Sequence, residues 1–543
     1  MADPLQSVSE GEAMPVVTLY RRLQGRLRGR LPAVEPTTPK AALIRADASP
    51  LQAQRETLDV VCALLAGAAV PYFCVRPLPD RPPVVAVPEE DRERALAALA
   101  AGAHPLFAAR QPYGRPGARA QADAGRMRPV RRAAPLLGDA RVVRLAMYFA
   151  SPSRTLTLGP ESGLDLEFWA REGDDLAGPR PNPACDRVPA DGPVAEGGEE
   201  LFLPLACPAR RARAYRTRPE FLRRLLDDID FPIDAVYTWV DGADPAWRAR
   251  RDEAQREEAR RVGGPLSEMA TTEARFTSRD ELRYSLRSLL MYAPWVNRIW
   301  IVTDGQTPPW LDTTHPMVSV VDHKEIFTDT SVLPVFNSHA IETQLHHIEG
   351  LSEHFLYFND DFFLGRPLAP RTFFEGNGIT RFFPSTVHVP FGVPEAEESP
   401  VHAAGMNNRR ILEDLSGRTI TQKLKHVPYA LRRSLMYEIE ERFAAEFQAT
   451  ARSRFRTSRD ISVVSSLAHY YGYLSGRAVP GLVDYTYVDL SLPKTPARLR
   501  RMLARRRHDV FCLNDTSPTD DEQDALLARF LEAYFPTPAP FER

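Results

Sequence analysis

The run Phe355-Leu-Tyr-Phe-Asn-Asp-Asp-Phe-Phe-Leu364 sets two adjacent carboxylates between two apolar stretches. Phe355–Phe358 has the length and composition of a short buried strand, and it runs straight into Asn359, Asp360 and Asp361. Buried, unpaired charge is costly, so a chain of this pattern must hydrate, protonate or neutralise those acids. One solution is a divalent cation held by oxygen ligands, with Mg²⁺ joining a carboxylate to a diphosphate as its usual setting. The plain alternative is an acidic turn whose Asp caps the next helix. These ten residues leave both open.

The surrounding chain repeats the pattern. Ala235–Val240 reads as a strand and ends in the turn Asp241-Gly242-Ala243-Asp244-Pro245. Ser278 and Glu281 form a capping box for a helix with Leu282, Leu286, Leu289 and Leu290 on its apolar face, stopped by Pro294. Arg298–Thr303 is a strand ending at Asp304, and Met317–Val321 one running into Asp322. A further helix, with Ser338 as N-cap, ends near Gly350 and leads to the Asn359 strand. Such alternation predicts an α/β sheet with crossover helices, a fold that places ligands at the carboxyl ends of its strands. Arg279, Arg283 and Arg287 recur every four residues as a second stripe, which on spacing alone is a solvated face. Downstream, strands are expected at Ile379–Pro384 and Val387–Phe391 and a short helix at Asn407–Leu415. A long helix is expected from Tyr429 to about Gln448, another over Ile461–Leu474, a strand at Val510–Leu513 and a last helix from about Asp520 to Tyr534.

At 543 residues the chain exceeds what one core holds, so more than one domain is expected. Residues 1–40 form a basic lead-in, and 41–225 a smaller N-terminal α/β accessory region with Pro/Gly-rich loops at 104–140 and 172–198. Residues 226–543 carry the chemistry. A net charge of −2 excludes a global case for nucleic-acid binding, so any phosphate must be met by local arginines. Five widely spaced cysteines without a CxxC pair argue against a disulfide framework or a zinc site and favour a reducing compartment. The first forty residues lack an apolar signal core, and Val60–Val70 is too short to span a bilayer. The expectation is a cytoplasmic protein, with peripheral association at the inner membrane face through the Arg-rich start.

At this point the motifs are long enough to name a resemblance. Ile233–Pro245, Arg279–Leu289 with Ala293–Val296 and Ile301–Gln306, Phe336–Glu342 with Ile348–Ser352 and Phe355–Gly365, and Phe511–Asp515 resemble the four conserved regions of the Stealth family. That family includes bacterial capsular and exopolysaccharide phosphotransferases and the animal N-acetylglucosamine-1-phosphotransferase. The resemblance covers roughly residues 230–540. It implies a nucleotide-sugar-binding, Rossmann-like (glycosyltransferase A-like) catalytic domain with helical insertions. It further implies Mg²⁺- or Mn²⁺-dependent transfer of a hexose-1-phosphate from a nucleotide diphosphate sugar, a UDP-sugar first, to a hydroxyl of a polysaccharide or oligosaccharide acceptor in capsule or exopolysaccharide synthesis.

The resemblance assigns the metal to Asp360 and Asp361, with Asn514 and Asp515 completing the shell. It gives His426 and Glu342 as candidates for the general base and Arg456 as the cation on the transferred phosphoryl group. Asp241, Arg283, Arg287, Asp304 and Asn337 become substrate-binding candidates. Two rivals remain at this stage: a metal-dependent glycosyltransferase that makes a glycoside, and a non-catalytic glycan-binding protein. Assembly into a homo-oligomer is left open.

Overall fold

In the computed structural model the described residues are 41–111, 126–210, 213–264, 266, 271–272, 276–395, 398–514 and 521–543. At the centre of the C-terminal part lies a five-stranded sheet in the order Val318–Asp322, Ile299–Thr303, Ile233–Thr238, His354–Asn359, Tyr429–Arg432. The first four strands run parallel, and the last is antiparallel, with Tyr429 opposite Tyr357. Ile299–Thr303 is buried along its whole length and Ile233–Thr238 along all but its last residue. Both faces of the sheet are covered, which explains why these strands read as unbroken apolar runs. The register places Thr238 beside both Val302 and Asn359, and Thr303 beside Asp322, so the carboxyl ends form one edge.

Chain direction across the sheet reverses at Ile233–Thr238. Successive strands step one way from it, and His354–Asn359 lies on its other side. That reversal is the topological switch point, outside which open α/β sheets bind ligands. Asp234, fully buried at the start of the first strand, accepts from Asn297 Nδ2 (3.0 Å), Trp300 Nε1 (3.0 Å) and the Ser352 amide (2.9 Å). It is an acid used as a structural knot.

After the turn at Asp360-Asp361 the chain forms a second, three-stranded sheet. Phe362–Leu364 pairs antiparallel with Val510–Asn514, which pairs parallel with Tyr485–Asp489. Phe362 lies opposite Cys512, so a segment about 150 residues downstream sits beside the acidic turn.

The N-terminal part holds an eight-stranded mixed sheet whose main path is Arg187–Pro189, Asp175–Ala177, Leu164–Glu172, Val142–Ala146, Phe107–Arg110, Arg128–Pro129. Among the described residues no strand before residue 225 pairs with one after it. The two parts nevertheless share one continuous apolar core and belong to one compact unit. Arg76 pairs with Asp228, Arg210 Nη2 donates to the Pro294 and Val296 carbonyls (2.5 and 2.9 Å), and Thr537 donates to the Ala48 carbonyl (2.8 Å). Among the described residues no helix is long and apolar enough to cross a membrane.

Several local expectations change. The helix expected from Tyr429 is a strand, Tyr429–Arg432, followed by helices Arg433–Arg442 and Ala444–Ala451. Tyr429, Ala430 and Leu431 are buried against His354–Asn359, and four residues are too few to show a period of two. The 172–198 stretch expected as a loop contains three short strands. Ser278 does not cap its helix. Asp280 takes the N-cap position with a left-handed backbone (φ 62°) and without a side-chain cap bond, and Glu281 accepts from the Arg279 amide instead. Asn337 rather than Ser338 caps the Ser338–Glu342 helix, accepting from the His339 amide at 3.1 Å.

The arginine stripe on Glu281–Tyr292 is corrected as well. Arg283 and Arg287, expected to hold the nucleotide or phosphate, do not line the large cleft described below. Arg283 Nε donates to Glu542 Oε2 (2.6 Å), and Arg287 Nε to Glu542 Oε1 (2.7 Å). Arg287 also reaches Glu532 (2.9 Å) and the Phe535 carbonyl (3.0 Å). These guanidiniums clamp the C-terminal segment to the helix. Glu542 is 3% and Arg287 4% exposed, and removing one partner of such a pair strands the other. Replacing Glu542 by Gln is therefore expected to lower stability by about 3 kcal/mol in urea unfolding, with the KM for donor unchanged.

Candidate functional site

Outside the switch point lies a cleft of about 600 Å³, within the range of small-molecule sites. Asn359, Asp360 and Asp361 form part of its wall, with Glu281, His426, Arg456 and Asn514. Strand geometry explains the meeting. Asn359 ends one strand of the central sheet, Phe362 starts the second sheet, and the two acids occupy the turn between.

Asp361 is 9% exposed and its two oxygens differ. Oδ2 accepts from Asn514 Nδ2 at 2.7 Å and from the Cys512 thiol at 3.2 Å, with His426 Nε2 at 3.8 Å. Oδ1 is buried and has no hydrogen-bond partner among the described residues. Asp234 sets the standard for a buried acid in this molecule, with donors on both oxygens. An orphaned carboxylate oxygen at a ligand edge is what a cation site looks like without its ion.

The neighbouring acids support that fit. Burial pushes the Asp360 carboxyl well above its usual range, and Glu281 and Asp361 add to the effect. Burial raises Glu281 too. Three carboxyls crowded on one wall repel one another, and a divalent cation relieves that repulsion. Asp361, His426 and Cys512 could themselves form a metal group, their donor atoms lying within 4.8 Å of one another. Burial and Asp361, however, push the Cys512 thiol well above its ordinary value, so it remains an S–H donor and not a thiolate ligand. Without a thiolate, what remains beside the His426 imidazole is a set of carboxylate and amide groups, whose oxygens suit Mg²⁺ or Mn²⁺.

Arg456 and His426 line the same cleft, His426 beside Asp361. Arg456 Nη2 donates to Ser338 Oγ at 2.6 Å, and its Nε is buried without a partner among the described residues. Burial draws its pKa down, so this cation pays a desolvation cost in the absence of an anion. Asn337 positions it. Its Nδ2 donates to the Ser453 carbonyl (3.1 Å), the Phe455 carbonyl (3.4 Å) and Asp460 Oδ2 (2.8 Å). Asn337 is fully buried and does not line the cleft, so its expected contact with substrate is replaced by a hold on the Arg456 loop. Burial also lowers the His426 pKa, leaving a neutral imidazole near Asn359 Nδ2 (3.5 Å).

Glu342 stands behind the wall. It is 5% exposed, its Oε1 is 3.5 Å from the Tyr357 hydroxyl, and Oε2 has no partner among the described residues. Burial raises its pKa to about 7 against the pull of Arg456. Asp304 lines the cleft, but its carboxylate is taken by Arg250 (2.7 and 3.1 Å). Asp241 does not line it. Its side chain accepts from the Ala243 amide, and Gln306 holds its backbone. Asp515 lies outside the described residues.

Sequence reasoning missed Cys512 and Glu281 as members of the site. Cys512 was legible in principle, because residues 512 and 514 share one face of a strand. Glu281 was absorbed into a capping motif. The cleft's aromatic wall, with Trp247 packed edge-on against Phe336 at 5.3 Å, left no short-range signal.

Comparison with known proteins adds the following. Profiles of Stealth protein conserved regions 1 to 4 match residues 231–258, 275–382, 425–473 and 501–543. An exopolysaccharide phosphotransferase of Streptomyces coelicolor is 44% identical over 556 residues, covering 97% of this chain and 90% of its own. The exopolysaccharide phosphotransferase CpsY of Mycobacterium tuberculosis is 38% identical over 515 residues, covering 93% and 91%. Both alignments extend well upstream of residue 231, so the N-terminal part is shared by these relatives. Among solved structures, the galactosyltransferase LgtC with donor and acceptor sugar analogs aligns at a TM-score of 0.29 and 9% identity, covering 56% of this chain and 96% of its own.

Two outcomes are expected. A carboxyl whose folded pKa is raised keeps its proton after the unfolded chain has lost it. Its contribution is therefore full below about 4.5 and is lost as pH climbs to about 7. Relative to Glu342→Gln, the wild-type protein should lose up to roughly 3 kcal/mol across that window in urea unfolding. Replacing Cys512 by Ser should leave the metal preference of the reaction unchanged, since a hydroxyl also donates to Asp361. A switch in preference from Cd²⁺ or Zn²⁺ to Mg²⁺ in that variant would make Cys512 a ligand.

Proposed function

The chain belongs to the Stealth family, and on that premise we propose that it transfers a hexose-1-phosphate from a nucleotide diphosphate sugar to a hydroxyl of a glycan acceptor in exopolysaccharide synthesis. The observation that carries the reading is the orphaned Asp361 Oδ1 at the switch point, in a cleft that also presents Arg456 and His426. A UDP-sugar is the preferred donor, Mg²⁺ or Mn²⁺ the metal, and the cytoplasmic face of the membrane the place of action.

Asp360 and Asp361 would hold the cation, with Asn514 fixing the Asp361 carboxylate through its 2.7 Å hydrogen bond. When bound, the cation offsets the charge of the diphosphate and of the departing nucleotide. The acceptor oxygen attacks the sugar-linked phosphorus, and the phosphoanhydride bond breaks. A nucleoside monophosphate departs, and the anomeric carbon–oxygen bond stays intact. His426 takes the hydroxyl proton at Nε2, a role that suits an imidazole kept neutral by burial. Arg456, whose Nε lacks a partner, faces the equatorial phosphoryl oxygens and gains there the anion that burial denies it. Glu342 sets the field around Arg456 and supplies a second group that exchanges a proton near neutrality. The wall containing Trp239 and Trp247 offers an apolar surface for the nucleotide base.

Incubation with a panel of nucleotide sugars, Mg²⁺ and a glycan acceptor should release nucleoside monophosphate and give a phosphodiester resonance in ³¹P NMR. Nucleoside diphosphate with a new glycoside would mean a glycosyltransferase instead. Replacing Asp361 by Asn should abolish Mg²⁺-dependent donor binding and lower kcat by about 10³-fold or more. If both survive that substitution, the acidic turn is structural and the reading fails.

A further inference from the structure

His346 and His347, adjacent in the turn Leu345–His347, both direct Nε2 at one oxygen of Glu440 on the helix Arg433–Arg442. The distances to Glu440 Oε2 are 2.8 Å from His346 and 2.9 Å from His347. Neither histidine nor Glu440 lines the catalytic cleft. The His347 ring is oriented from behind, its Nδ1 lying 2.9 Å from the Ile326 carbonyl.

Donor and acceptor accounting makes this arrangement unusual. A carbonyl oxygen only accepts, so His347 Nδ1 carries a hydrogen. In a neutral imidazole its Nε2 is then a bare lone pair. That lone pair faces an oxygen of a carboxylate, which is also an acceptor. Two acceptors at 2.9 Å repel unless something positive stands between them. A second proton on His347 would do, and so would a metal ion. A metal-bound histidine typically has its far N–H donated to a backbone carbonyl, as His347 does to Ile326. His346 imposes no contrary choice. Its Nδ1 is buried without a partner among the described residues, so its Nε2 is as free to be a ligand as a donor.

We propose that His346, His347 and Glu440 form a second metal site, for Zn²⁺, distinct from the acidic site of the cleft. Two imidazole nitrogens and one carboxylate oxygen are a borderline donor set that suits Zn²⁺ and is poor for Mg²⁺. The ligand atoms lie within 4.8 Å of one another. With metal–ligand bonds of about 2.0–2.2 Å in a tetrahedron, the two nitrogen–oxygen separations of 2.8 and 2.9 Å widen to about 3.4 Å, an opening of roughly half an ångström. Glu440 is 31% exposed, which leaves water for the fourth position, whereas His346 is fully buried. Arg433, a nearby cation, is turned to the His346 carbonyl (2.8 Å) and the Leu351 carbonyl (3.3 Å). Tyr437 packs edge-on to the His346 ring at 4.5 Å and screens the site. The ion would staple the turn that follows the Glu342 helix to the helix that follows the edge strand Tyr429–Arg432, bracing the scaffold behind the cleft.

The test uses the full-length protein, stripped with chelator, equilibrated with Zn²⁺ and desalted. Elemental analysis should find one zinc per chain, and thermal unfolding should shift upward by several degrees with Zn²⁺. His347→Gln and Glu440→Gln should each lose that zinc and that shift, while Asp361→Asn keeps both. X-ray absorption on the wild-type protein provides a check that needs no variant to fold. It should show two imidazoles and oxygen around the zinc, with no sulfur. No zinc retained by the wild type overturns the proposal, because the cluster is then a proton-held histidine–carboxylate pair. A sulfur ligand, or zinc kept by both variants, also overturns it, because the ion then sits elsewhere.

Discussion

The hydrogen bond from Asn514 to Asp361 is the contact on which the site depends. It joins the end of the last strand to the acidic turn after the fourth strand of the central sheet, and it occupies one carboxylate oxygen while the other stays without a donor. A carboxylate held at one end in this way is oriented before any ligand arrives. The strand pairing of Phe362–Leu364 with Val510–Asn514 supplies the geometry, and the buried Cys512 thiol adds a second donor from the same strand face. Pre-organisation of this kind spares a site the cost of ordering its groups at the moment of reaction.

The same logic governs the cationic side. Arg456 comes from a loop some hundred residues beyond the acids in sequence and is kept in place by Asn337, a fully buried amide that bonds to two backbone carbonyls and Asp460. Its guanidinium is desolvated and incompletely paired. Acids crowded on one wall and an under-satisfied cation in the same cleft are each unfavourable alone. Under the proposed function, a cation and a phosphate group would complete the electrostatics of this cleft. Acids with only structural duties look different. Asp234 is fully buried with donors on both oxygens, and Glu542 is closed by two arginines.

Legibility varied with the range of the interaction. The acidic turn, the parallel strands and most helices were readable because each is announced by a local period or a turn signal. The Tyr429 segment was misread as helix because a four-residue strand carries too short a period to compete with the helical pattern after it. The Arg283 and Arg287 stripe had a clear spacing and a misleading meaning. Periodicity shows that the two side chains share a face but not what lies opposite, and what lies opposite is Glu542, more than 250 residues away. Family resemblance pulled both arginines toward the substrate, whereas the tertiary contacts make them clamps. Asn337 and Asp241, expected to line the substrate site, do not line the cleft: Asn337 bonds the Ser453–Asp460 loop and Asp241 its own turn.

By itself, then, the sequence carried an α/β sheet with acids at its strand ends, and the family resemblance grouped Asp360, Asp361, His426 and Arg456, four residues that the fold brings to one cleft. Alternation of apolar strands and amphipathic helices is a local property, and a motif travels with its residues. Only the tertiary structure decided which oxygen of Asp361 is free, that Cys512 is a donor, and that Glu342 lies behind the wall with its pKa raised to about 7. It also decided that His346 and His347 converge on Glu440. Those outcomes depend on burial and on donors and acceptors brought together across tens to hundreds of residues, and desolvation has no signature along a chain until the chain has folded.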